Sequence, residues 1–267
     1  MSNISEIDQE ALIDLVRADL SMGVPFKHGS FCHYTTSDAA NSILESGMFY
    51  ATNLRCSNDL NERERHRSAN GSVHSISLCN SKTESIPLWY LYAGLDGKGV
   101  RLRITSAKLW QWINSNEVIY RVKDGNPDYQ KPLRRYVDYD IFAGWVCYRD
   151  QKNAKRILVR NKQYLYLGDW ETISLSKDVF LIEDFIKDYE WAYEKEFRIV
   201  FRVHKNEDRI AVPIDVGMFS IMFAPEIQDK EEQLKRNGFL KWIQKGTESS
   251  CLSIRMDLEN RFKKGKG

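Results

Sequence analysis

Residues 31–53, FCHYTTSDAANSILESGMFYATN, change their period twice within a short run. The opening FCHYT is β-rich, with alternate positions suited to opposite faces of a strand. Ala40, Ile43 and Leu44 then recur at helical spacing, opened by Thr36 or Ser37 as a cap and stopped by Gly47. MFYATNL returns to strand character. Strand, helix, strand is the order, and it makes the chain a mixed α+β protein. His33 stands at the head of this unit. A lone histidine beside apolar residues more often packs into a core than holds a ligand, so its own neighbours favour packing.

Working outward, residues 5–22 place Leu12, Leu15, Val16 and Leu20 on one helical face, and Gly23 closes it. RCSNDLNERERHRSANG (55–71) is too polar for more than a loop or an exposed helical turn. SVHSISLC (72–79) alternates as a strand with one buried face. A short helix around PLWYLYAG, a strand GVRLRI, a helix SAKLWQWINS and a strand NEVIYRVKD follow. The spacing predicts helix over about 150–165. Toward the C-terminus, WAYEKEFRIVFRV (191–203), DRIAVPID and FSIMFAPE read as strands, IQDKEEQLKRNGFLKWIQKG as a helix and CLSIRMDL as a last strand. No repeat or long linker divides the chain. The economical organisation is an N-terminal helical extension (1–27), one α+β domain (28–258) and a basic tail (259–267).

Composition narrows the function classes. The 267 residues are 42% hydrophobic and 28% charged, as in globular proteins. No run approaches the roughly 20 apolar residues of a membrane span, and the first residues lack a signal core, so a cytoplasmic location without a membrane partner is expected. Cysteines 32, 56, 79, 147 and 251 are odd in number and scattered, which fits reduced thiols and neither a disulfide framework nor a metal site. The formal charge of +2 does not announce a nucleic-acid binder. Basic stretches at 131–136 and 149–162 read as solvated faces.

Four constellations could carry chemistry. In YEKEFRIVF, strand alternation sets Glu194, Glu196 and Arg198 on one side and Lys195, Phe197, Ile199 and Phe201 on the other. With the aromatic side in the core, the charged row faces water or a cleft, either as a solvated edge or as an ionised, immobile acceptor in a site. SNDLNERE offers Asn58, Asp59 and Glu62; Ser57 or Asn58 could cap a helix with the acids in its first turn, while a metal would need carboxylates from elsewhere. In PLWYLYAG, Trp89 and Tyr92 share a helical face, suited to core packing or to stacking on a planar ring. GLDGKG lacks the context of a phosphate loop and reads as a turn.

The order of these motifs is similar to that of the prokaryotic family called domain of unknown function 2971. The matching residues are His33, Tyr34, Thr35, Gly47, Asn58, Asp59, Glu62, Trp89, Tyr92, Gly99, Tyr193, Glu194, Glu196 and Arg198, over roughly residues 28–258. The opening segment also resembles ADP-ribosyltransferase-type folds, among them DNA-modifying toxins and RNA 2′-phosphotransferases. That resemblance implies a split, mixed or antiparallel β-sheet with a ligand cleft and peripheral helices. It implies NAD as substrate, no metal, and a nucleic-acid or protein acceptor, or water. By the same resemblance His33 would bond a ribose hydroxyl beside Tyr34 or Thr35, and Trp89 or Tyr92 would stack on nicotinamide. Glu196 or Glu194 would hold the ribose 2′-hydroxyl and steady the oxocarbenium ion, with Arg198 orienting the carboxylate or meeting a phosphate. A bacterial enzyme of phage defence or a toxin is the implied setting. The rival expectation is a non-catalytic module that binds a nucleotide or nucleic acid.

Overall fold

A computed structural model of the chain describes residues 29–67, 71–80, 84–93, 99–149 and 184–223, with the backbone of 156–158 and 164–166. In chain order the elements are β1 (Ser30–Thr36), α1 (Ser37–Ser46), β2 (Met48–Asn53), a 3-10 turn (Leu54–Cys56), α2 (Leu60–His66), β3 (Ser72–Asn80) and α3 (Ile86–Tyr92). Next come β4 (Gly99–Thr105), α4 (Ser106–Ser115), β5 (Val118–Lys123), β6 (Asn126–Arg134), β7 (Tyr139–Trp145), β8 (Cys147–Arg149), β9 (Arg156–Leu158) and β10 (Tyr164–Tyr166). The last described elements are β11 (Ile186–Lys187), a 3-10 helix (Tyr189–Glu194), β12 (Glu196–Val203), β13 (Ile210–Pro213), a 3-10 turn (Val216–Met218) and β14 (Phe219–Phe223). The architecture is α+β, with mostly antiparallel strands and few helices.

The chain divides into two compact units interleaved along the sequence. One includes His28–Met48, Cys79–Trp112 and the chain from Ile214. Here β1 pairs with β4 along its whole length, from Ser30↔Thr105 to Thr36↔Gly99, and β14 lies on the other side of β4. Helix α1 begins where Thr36 Oγ1 accepts from Ala39 N–H at 3.2 Å and ends at Gly47, whose φ of 63° is a left-handed cap. Gly99 is required by space: a Cβ there would stand 2.1 Å from the Ala93 carbonyl oxygen. The short close of α3 is thereby pressed against the start of β4.

The other unit includes Phe49–Leu78 and Ile113–Pro213. β12 pairs antiparallel with β7, from Phe197↔Trp145 to Val203↔Tyr139, and also with β3. β3 pairs with β2, and the order continues through β13, β5 and β6. A small second sheet runs β10-β9-β8-β11, with β8 and β11 parallel. Phe197, Ile199 and Phe201 are fully buried, each stabilising the fold by roughly 1.5–3 kcal/mol through removal from water.

Several expectations are corrected. The helix expected over 150–165 is contradicted wherever that stretch is described: Arg156–Leu158 forms a strand, and Tyr164, just inside its end, opens a second that pairs with it. Ladder pairing outweighs the weak helical spacing there. The 55–71 segment, read as a loop or an exposed helical turn, does contain a helix, α2, but one that buries Glu62 and His66. Ionic partners far along the chain make that burial affordable. β3 buries residues on both faces, not one, and only Ser77 among Ser72–Cys79 is exposed. The 191–203 strand starts at Glu196, because Tyr189–Glu194 forms a 3-10 helix and Lys195 turns left-handed at φ 46°. The expected N-terminal helix, the helix after FSIMFAPE, the CLSIRMDL strand, most of GLDGKG, Cys251 and the basic tail lie outside the described residues.

Candidate functional site

Arg198 is the centre of the largest polar cluster described. On β12 it follows Glu196 by two residues, so both side chains leave the same face of the strand. Its Nε donates to Glu196 Oε1 at 2.9 Å and its Nη2 to Glu196 Oε2 at 3.2 Å, a two-pronged pair. Its Nη1 donates to Glu62 Oε1 at 2.6 Å and also to the Asp184 carbonyl. Arg198 is 1% exposed and Glu196 2%. The charged row therefore faces neither water nor a solvated edge.

The remaining partners come from four other elements. Lys187 on β11 donates to Glu194 Oε2 at 2.7 Å and sits 2.9 Å from Glu196 Oε2. Its ammonium also lies 5.3 Å from the centre of the Trp191 ring. The Glu196 N–H donates to the Tyr148 hydroxyl at 2.9 Å. Ser57 Oγ donates to Glu62 Oε2. The helix that carries Glu62 is capped by Asp59, whose Oδ1 accepts from Asn61 N–H at 2.9 Å and Glu62 N–H at 3.1 Å. Asp59 Oδ2 accepts from Asp188 N–H at 3.1 Å, tying α2 to the end of β11. Asp59 is the cap, not Ser57 or Asn58; Asn58 is exposed.

These contacts fix the charge states. Burial alone would raise the Glu196 carboxyl, but Arg198 and Lys187, with hydrogen bonds from Arg198 and Ser77, hold it well below the usual carboxylate range. Burial would lower Arg198, and Glu196 with Glu62 raises it instead. Lys187 is likewise raised against burial, chiefly by Glu196. His66, one turn beyond Glu62, is pushed down to about 3 by burial and by the surrounding arginines, Arg198 first. It is a neutral imidazole in this setting.

The other predicted residues lie in the other unit. His33 is on β1, as expected, and half-buried; Thr35 is buried on the same strand. Tyr34 and Trp89 meet edge to face, ring centres 4.9 Å apart. The Tyr34 hydroxyl accepts from Ser85 N–H at 3.0 Å, and Trp89 Nε1 donates to Glu84 at 3.1 Å. Trp89 is thus a packed residue, while Tyr92, on the same helix, is half-buried.

Sequence reasoning brought Glu194, Glu196, Arg198, Asp59 and Glu62 to notice and missed Lys187, Tyr148, Asp184 and His66. One signal was available: Glu62 and His66 stand four apart, on one face of α2. Among the described residues no group of three or more His, Cys, Asp and Glu is arranged to hold a metal. No helix among them is long and apolar enough to cross a membrane. No curated protein matches the chain. Residues 88–199 match the family model described as "Protein of unknown function (DUF2971)", a span that carries Trp89, Tyr92, Lys187, Glu194, Glu196 and Arg198.

Proposed function

We propose that the chain is an NAD-dependent enzyme of ADP-ribosyltransferase type, which breaks the bond between nicotinamide and ribose and passes ADP-ribose to a macromolecule or to water. The observation that supports this reading is the state of Glu196, an ionised carboxylate held in place by the Arg198 fork and the Lys187 ammonium. A sugar cation forming as nicotinamide leaves is stabilised by such a fixed anion, which has no reorganisation left to pay for. Ser77, an exposed residue of β3, also bonds the Glu196 carboxylate. Arg198 then acts as a positioning residue, and Glu196 as the group that meets the ribose.

The burial of Glu196 and the commitment of both its oxygens to protein cations favour a second reading, a binding module for nucleotide or nucleic acid. Nicotinamide release from labelled NAD, with protein, DNA and RNA acceptors present in parallel, separates the two. The enzyme reading expects release in the wild type and a drop of roughly 100-fold or more in Glu196→Gln, read below the melting temperature of both proteins. Equal, background-level release from both would leave the binding module.

A further inference from the structure

Two arginines outside the Arg198 cluster are carried by the elements that flank β11, α2 and β8. Arg65, on α2, donates from Nη2 to the Ile186 carbonyl at 2.6 Å. Arg149 ends β8, whose parallel register sets Cys147 beside Ile186 and Tyr148 beside Lys187, so Arg149 is the next step along the same edge. Burial lowers the Arg65 pKa, and the Arg149 charge is the next largest cause. Like charges set together at a partly buried edge repel unless an anion joins them.

Glu62, Asp59 and Asp188 offset part of that repulsion at Arg65, but their hydrogen bonds are made elsewhere. Glu62 gives its oxygens to Arg198 and Ser57. Asp59 accepts from three backbone N–H groups, and Asp188 Oδ2 accepts from Asn61 Nδ2. Arg65 Nε and Nη1 and Arg149 Nε are left buried with no acceptor, and among the described residues no other side chain has two such atoms. A buried N–H without a partner costs its full desolvation, and such groups call for an explanation.

We propose that Arg65 and Arg149 form an anion site for the terminal phosphate or diphosphate of a nucleotide. Two planar forks, each with buried N–H donors left over, suit a tetrahedral oxyanion carrying two negative charges better than a single carboxylate. The unmatched atoms are buried, so the ligand must present an end group, not the middle of a polymer backbone. The inference goes beyond the NAD reading, and its test does not depend on turnover.

Calorimetric titration of the whole chain with pyrophosphate and with ADP is the measurement. One saturable site is expected, weakened by about tenfold or more in Arg149→Gln and by less in Arg149→Lys, which keeps the charge and loses the fork. Arg149→Gln leaves the Arg65 bond to Ile186 in place, and a melting curve close to wild type accompanies the comparison. Affinity unchanged in Arg149→Gln, or no saturable binding to the wild type, would overturn the site. A 5′-phosphorylated dinucleotide that binds no better than its dephosphorylated form would do the same.

Discussion

Arg198 and Arg101 are both buried, at 1% and 3% exposure, yet they are accommodated by different means. Arg198 is surrounded by carboxylates, Glu196 and Glu62, and by the Asp184 carbonyl. Arg101, in the other unit, lies 5.5 Å from the centre of the Tyr34 ring, donates to Met222 Sδ at 3.6 Å and bonds the Cys32 side chain. Hard, fully charged partners make the first arrangement costly to dismantle, because each survivor is a buried charge without its counter-ion. Loss of the Tyr34 and Met222 contacts strands no counter-charge on either of those partners. The fold can therefore tolerate changes at Arg101 that it cannot tolerate at Arg198.

The largest effect is expected at Arg198. Arg198→Met strips Glu62 and Glu196 of their counter-ion and should cost roughly 3–5 kcal/mol, measured by urea unfolding. A loss under about 1 kcal/mol would mean that water reaches the cluster, and the contrast with Arg101 would collapse.

The next concerns acid. His66 is held neutral, at about 3 against an ordinary 6.5. Between those values the unfolded chain carries a proton that the folded chain does not, so stability from this residue is complete above pH 6.5 and drains as pH falls toward 3. Glu196, held low, adds to the loss below the usual carboxylate range. In His66→Gln the slope of unfolding free energy between pH 4 and 6 should flatten by about 1.4 kcal/mol per pH unit. An unchanged slope would place a proton on the folded imidazole.

The smallest effect is expected at Arg101. Arg101→Met should cost about 1–2 kcal/mol, the scale of a desolvated cation–aromatic contact. A loss as large as that of Arg198→Met would erase the distinction between the two sites.

Much of the fold was legible because its signals are local. Thr36, Gly47, Gly99 and the Phe197/Ile199/Phe201 alternation each act within a few residues, and β1, α1, α4 and most of β12 follow from them. The charged cluster was legible only in part. Glu196 and Arg198 are two apart, but Arg198 and Glu62 are separated by 136 residues and no periodicity links them. A polar run such as NDLNERERH looks solvated until the partner that neutralises Glu62 is known. Glu194 was placed with Glu196 for the wrong reason: the predicted common strand face is absent, and Lys187 joins them instead.

That junction follows from Lys195. With φ at 46° it ends the 3-10 helix just before β12, and the carboxylates on either side of it close on one ammonium. The segment Glu194–Glu196 behaves as a chelating ligand with a preset bite. Each arm meets Lys187 at an effective concentration fixed by the backbone, not by the solution around it. Free carboxylates in the medium compete poorly with such a claw, and so β11 is fastened to the start of β12 by a clasp no longer than three residues.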